Sequence, residues 1–130
     1  MRKRIQPIQR KCLIDNEDYK KMRKKYKIAD KNGEGKEYII DTNNLIFEGG
    51  YLNGKRNGKG KEYDFDGKLI FEGEYLKGRR NGKGKEYYKN GQLLFIGEYL
   101  NGKKWNGNGF NKNGYWEFEI KEGKGKIKEP

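Results

Sequence analysis

Three stretches of the chain, Phe47-Glu48-Gly49-Gly50-Tyr51-Leu52, Phe71-Glu72-Gly73-Glu74-Tyr75-Leu76 and Phe95-Ile96-Gly97-Glu98-Tyr99-Leu100, put aromatic and glycine residues at alternate positions, with mostly charged or aliphatic residues between. A period of two is the pattern of a half-buried β-strand. After the middle stretch, Gly78 and Asn81-Gly82 supply residues that tolerate positive φ, and Lys83 to Tyr88 reads as a returning strand. Asn90-Gly91, like Asp66-Gly67 before it, then turns the chain into the next stretch. Each unit is therefore a β-hairpin. A register with Leu76 opposite Asn81 sets Glu74 against Lys83 and Glu72 against Lys85, and leaves Phe71 and Tyr75 on the other face with Gly82 and Gly84. Glycines opposite aromatics give the rings room to lie across the sheet, and opposite charges pair on the far face.

The hairpins repeat every 24 residues, marked by Phe47, Phe71 and Phe95, by Gly49, Gly73 and Gly97, and by Tyr51, Tyr75 and Tyr99. The returning strands repeat as Gly58, Gly60 and Tyr63, then Gly82, Gly84 and Tyr87, then Gly107 and Gly109, the last after an inserted Trp105. These positions define the repeat and its thin core. Upstream, Asn32-Gly33-Glu34-Gly35-Lys36-Glu37-Tyr38 copies Asn57-Gly58-Lys59-Gly60-Lys61-Glu62-Tyr63, and downstream Phe118 to Lys126 is a compressed final copy. The units run over about 26–46, 47–70, 71–94 and 95–117, with a partial one at 118–130. Strands about 4.8 Å apart advance roughly 10 Å per hairpin. The expected fold is all-β: an elongated, twisted, single-layer antiparallel sheet over residues 26–130, preceded by an arm over residues 1–25.

Composition narrows the function. Of 130 residues, 32% are hydrophobic and 38% charged, which leaves too little aliphatic volume for a thick core. The chain has no His, Ser or Val, and Cys12 and Thr42 stand alone. Ser-His-Asp and Cys-His catalysis, imidazole metal sites and CxxC pairs are thereby excluded, and neither catalysis nor a cofactor is expected. Gly49 to Lys55 and Gly97 to Lys103 spell the frame of a phosphate loop, but Arg56 and Lys104 occupy the place of its Mg²⁺-binding hydroxyl. Gly82 and Gly84 lack the third glycine of a dinucleotide loop, because Tyr87 fills that place. Asp64 and Asp66 read as a turn rather than an acid pair in a pocket. A lone cysteine, no apolar stretch after the basic Met1-Arg2-Lys3-Arg4, and no run near the ~20 apolar residues of a membrane span predict a cytoplasmic protein.

The formal charge is +12, and residues 1–27 carry 11 Lys and Arg against three acids. In this arm Asp15 suits a helix cap and Tyr19, Met22 and Tyr26 share one helical face, so a short helix ending near Lys25 is expected. Its polar side, with Lys20, Lys21, Arg23, Lys24 and Lys25, suits an anionic surface, and a capping helix over the first sheet edge is an equally plain reading. Basic pairs recur at the first turn of each unit: Lys55 and Arg56, Arg79 and Arg80, Lys103 and Lys104. They read either as a contact edge for an anionic partner or as solubilising charge on exposed turns. Lys59, Lys61, Lys83 and Lys85 read as neutralised by facing glutamates.

The pattern aromatic-x-Gly-Glu-aromatic, a basic turn, Gly-x-Gly and an aromatic stands here as Phe71-Glu72-Gly73-Glu74-Tyr75, Gly78-Arg79-Arg80, Gly82-Lys83-Gly84 and Tyr87. It resembles the MORN (membrane occupation and recognition nexus) repeat. Asn57, Asn81 and Asn106 stand where that family often has His, which points to a divergent branch. The resemblance implies a hairpin sheet used as a scaffold, often at membranes or the cytoskeleton and often as a homodimer, since a single layer leaves one aromatic face for a partner to cover. The expected function is a non-enzymatic protein-interaction module with recruitment to anionic phospholipid surfaces. The alternatives are a nucleic-acid-binding basic β protein, for which no recognised motif is present, and an antitoxin-like neutraliser of an acidic partner.

Overall fold

The computed structural model describes residues 25–29 and 31–127. The arm over 1–25, with its expected helix and with Lys20, Lys21, Arg23 and Lys24, therefore lies outside the described residues except for Lys25. The strands are β1 (Lys25–Ala29), β2 (Gly33–Ile39), β3 (Leu45–Leu52), β4 (Lys55–Tyr63), β5 (Leu69–Leu76), β6 (Arg79–Tyr87), β7 (Leu93–Leu100), β8 (Lys103–Phe110), β9 (Trp116–Lys121) and β10 (Lys124–Ile127). They form one open antiparallel sheet in chain order, with no helix among the described residues.

Two kinds of connection alternate. On one edge β3–β4, β5–β6, β7–β8 and β9–β10 are joined by two-residue turns in which both residues have positive φ, as at Lys77 (51°) and Gly78 (89°). That is the mirror-image turn whose twist matches paired strands. On the other edge a longer loop is built on one side chain: Asp64 Oδ1 accepts from the N–H of Asp66 and of Lys68, both at 2.9 Å.

The tight turn corrects the expected register. Leu76 faces Arg79, not Asn81, because Lys77-Gly78 alone closes the hairpin. Glu72 does face Lys85, but between Gly73 and Tyr75 the register shifts, so Glu74 pairs with Lys59 of the preceding hairpin and Lys83 with Glu98 of the following one. Asn81-Gly82 is a bulge inside β6 rather than a turn. The Asn81 Oδ1 accepts from the Asn101 N–H at 2.9 Å, as Asn32 does from Asn53 and Asn106 from Glu122. Each turn glycine also donates its N–H to the preceding hairpin, Gly78 to the Arg56 carbonyl and Gly102 to that of Arg80. The hairpins are thus locked tip to tip by groups that would otherwise be unpaired.

Two rows cross the sheet. One is nearly all glycine, Gly35, Gly49, Gly60, Gly73, Gly84, Gly97 and Gly107 on successive strands. The neighbouring row alternates Glu37, Phe47, Glu62, Phe71, Glu86 and Phe95. The glycines make room for the rings: a Cβ at Gly60 would lie 2.6 Å from Phe47 and 3.1 Å from Tyr75. Phe47, Tyr51, Phe71, Tyr75, Phe95 and Tyr99 then pack edge to face, with centroids 5.2 Å apart for Phe47–Tyr75 and Phe71–Tyr99. Such contacts add about 0.5–1.5 kcal/mol each to simple burial.

Candidate functional site

The aromatic face is closed by the chain itself. Adjacent strand residues point to opposite faces, so each basic pair after a tight turn is split. Lys55, Arg79 and Lys103 are exposed at the hairpin tips, whereas Arg56, Arg80 and Lys104 lie back over the rings. The Arg56 and Arg80 guanidinium groups sit 4.1 Å from the Phe47 and Phe71 centroids. Between them runs an ionic ladder: Lys25 to Glu37 at 3.0 Å, Arg56 to Glu37 at 2.9 Å and to Glu62 at 3.2 Å, Arg80 to Glu62 and Glu86, and Lys104 to Glu86 at 2.9 Å. Of the proposed anionic contacts, Arg56, Arg80, Lys104 and Lys25 are thus held by this chain's own carboxylates.

Glu37 is the most enclosed of these acids, 4% exposed. Burial raises its pKa, but hydrogen bonds from Arg56 and from the Tyr51 hydroxyl (2.6 Å), together with the charges of Arg56 and Lys25, more than offset this and hold it down at about 2. Glu86 is lowered in the same sense, with burial opposed by Tyr99, Lys104 and Arg80. Burial and then the carboxylate partners push the Tyr51 and Tyr99 phenols well up. Among the described residues the Tyr75 hydroxyl is the buried side-chain polar atom without a hydrogen-bond partner, although the nearby Glu62 carboxylate, after burial, raises its pKa. Glu37, Glu62 and Glu86 were not singled out from sequence. Their signal was there: each precedes a tyrosine at the same place in its repeat.

The opposite face is open. A groove of about 1400 Å³ runs across the strands, floored by the glycine row and walled by Lys and Glu side chains. One wall is the in-register row Ile28, Lys36, Glu48, Lys61, Glu72, Lys85 and Ile96 on β1 to β7. The other includes Glu34, Lys59, Glu74, Lys83 and Glu98. The expected neutralisation of these lysines does not occur by direct pairing. Glu48 and Glu72 instead accept from the Tyr63 (2.6 Å) and Tyr87 (2.5 Å) hydroxyls, and burial followed by these carboxylates pushes both phenols up to about 12. Within the described residues Lys36, Lys59, Lys61, Lys83 and Lys85 form no ion pair.

A second exposed feature is the ridge of tips. Leu52, Leu76 and Leu100, each more than 40% exposed, stand cross-strand from Lys55, Arg79 and Lys103. The stretches 52–55, 76–79 and 100–103 contain no acid. The described residues hold no group of three or more His, Cys, Asp or Glu able to bind a metal ion, and no helix among them is long and apolar enough to cross a membrane.

No curated protein matches the chain. The family model of the MORN repeat matches residues 47–68 and 71–93. These are the β3–β4 and β5–β6 units whose rings, glycines and tips have just been described; in β7–β8 the expected insertion at Trp105 is corrected to a returning strand one residue shorter, so that Gly107 continues the glycine row and Gly109 faces Phe95 where the earlier units have Glu62 and Glu86. MORN repeats are in general protein- or membrane-interaction modules and not an enzyme family, and residues 47–68 and 71–93 of this chain are two such repeats.

Proposed function

We propose that the chain is a non-catalytic scaffold that receives a protein partner in the groove of its charged face. The observation that carries this reading is the groove itself: six successive strands, β2 to β7, expose backbone along its floor, between walls whose lysines have no ion pair within the described residues. The aromatic face is spent on the fold, whereas the groove offers concave surface, polar groups and close backbone approach. Site-specific photo-crosslinking tests it. A photoreactive residue in place of Lys61 or Lys85 captures the partner from a lysate of the source cells, and one in place of Lys68 or Lys112 on the loop edge does not. Equal capture from both sets of positions refutes the assignment.

The ridge of tips supports a second contact, recruitment to an anionic phospholipid surface. Basic side chains each contribute about 1 kcal/mol near such a surface, and the leucines beside them add apolar area at the interfacial depth. In vesicle flotation the full chain is expected to float with anionic and not neutral vesicles, and Lys55→Glu/Arg79→Glu/Lys103→Glu to remain at the bottom. Flotation unchanged by the triple substitution removes the ridge from the reading.

A further inference from the structure

The groove wall reads Ile, Lys, Glu, Lys, Glu, Lys, Ile across β1 to β7. The charge alternation stops at Ile96, which stands where the two preceding units have Glu48 and Glu72. Its cross-strand partner Asn108 stands where they have Lys61 and Lys85, so both members of one cross-strand Glu–Lys position are replaced together by uncharged residues. Ile28 at the other end is 62% exposed and Ile96 is 38% exposed, and both line the groove. Between them four of the carboxylates each accept one hydrogen bond from a neighbour. Glu48 and Glu72 hold tyrosine hydroxyls, Glu74 holds the Lys83 N–H at 2.7 Å, and Glu98 accepts from Asn106 at 3.1 Å. The free capacity in the middle is the five lysine ammonium groups.

We infer that this groove takes an extended acidic peptide segment with a large apolar residue at each end, seated against Ile28 and Ile96. The inference rests on the groove being the contact surface. Six strand spacings separate the two isoleucines, roughly 29 Å at about 4.8 Å each, the length of about nine residues of extended or polyproline-II chain. Lys36, Lys61 and Lys85 recur every two strands, close to 10 Å, which matches the three-residue turn of polyproline II at about 9.3 Å. Acidic residues at every third position of such a segment meet all three lysines. A floor of bare backbone admits a thin chain and leaves no room for a helix to sink between the walls. A second copy of the sheet would set wall against wall, and the chain's own basic arm carries the same sign of charge as the free lysines.

A random 12-residue peptide display library panned against the full chain tests this. The expected clones carry two large apolar residues eight or nine positions apart with acidic residues between. Ile96→Glu/Asn108→Lys, which writes the repeat's own residues back into the third unit and so keeps the fold (checked by far-UV circular dichroism), weakens the leading peptide about tenfold or more. Lys61→Gln/Lys85→Gln weakens it by a similar factor. Clones that crosslink to Lys61 or Lys85 but lack the pattern, or that bind the Ile96→Glu/Asn108→Lys chain equally well, overturn the inference and leave the groove reading standing. Absence of any clone that contacts the groove overturns both.

Discussion

Glu37→Gln is the sharpest test of the ionic ladder, because one carboxylate there joins four strands. Glu37 on β2 receives Lys25 from β1, the Tyr51 hydroxyl from β3 and a two-point contact from Arg56 on β4, with Nε and one terminal nitrogen each at 2.9 Å. Its pKa falls from 4.5 to about 2 on folding, and a difference of that size corresponds to about 3 kcal/mol of stability. The folded-state value is the lower one, so this contribution is complete above pH 4.5 and disappears as the pH falls through 2. In a repeat array each unit touches only its neighbours, so the loss concentrates at the β1–β4 end. Urea titrations followed by circular dichroism from pH 7 to pH 2, with amide exchange across β1–β4, read it out. The wild type should lose stability steadily between pH 4.5 and pH 2, and Glu37→Gln should start about 3 kcal/mol lower at pH 7 and fall less over that window. Glu86 titrates in both proteins and cancels in the comparison. Parallel pH curves for the two chains would refute the claim that Glu37 is held ionised by its partners.

Three further outcomes follow from single positions. Gly73→Ala places a Cβ 2.5 Å from the Lys83 carbonyl oxygen and 2.8 Å from the Phe71 ring, and should lower stability by about 1–3 kcal/mol or more in a chemical melt, since backbone rather than a flexible side chain must move. Tyr99→Phe removes a 2.6 Å hydrogen bond to Glu86 and should cost roughly 1.5–3 kcal/mol, whereas Tyr75→Phe, whose hydroxyl lies beside the Glu62 carboxylate without full hydrogen-bond geometry, should cost less by the same assay. Lys77→Asn replaces a lysine at φ 51° by the residue that the flanking tight turns use, Asn53 and Asn101, and should raise the melting temperature by an amount equivalent to about 0.5–1 kcal/mol.

What the sequence made legible was what strand alternation controls. Period two assigned Phe71, Gly73 and Tyr75 to one face, and the 24-residue spacing carried the assignment to the neighbouring units. Turn width was not legible. Gly78 and Asn81-Gly82 are both able to hold positive φ, but Asn81 is held within β6, where its Oδ1 accepts from the Asn101 N–H, a contact between residues 20 apart. The fate of the basic pairs was half legible. Arg79 and Arg80, being adjacent in a strand, must part to opposite faces, but which one covers the rings depends on the turn. The free groove lysines were hidden for a different reason: cross-strand pairing predicted Lys61 opposite Glu48, and that register holds. The Tyr63 hydroxyl donates to the same carboxylate at 2.6 Å, a contact from the groove face that cross-strand pairing alone does not reveal.

A single sheet has two faces and ordinarily needs something to cover one of them. Here the covering layer is made of charged side chains. The Phe rings of Phe47, Phe71 and Phe95 are wholly enclosed within one chain, beneath guanidinium and ammonium groups whose charges are balanced by Glu37, Glu62 and Glu86. The physical motive for a homodimer, an aromatic face open to water, is therefore absent in the described residues. The ladder also explains how a chain that is 38% charged forms an ordered sheet at all: long stems lie on aromatic rings while their heads pair above them, so charge and apolar burial are supplied by the same residues. With that face self-sufficient, the reverse side is left to present the strand backbone between its Lys and Glu side chains. The groove lies directly behind the core, and a Cβ added at a glycine of the row turns toward the rings rather than into the groove.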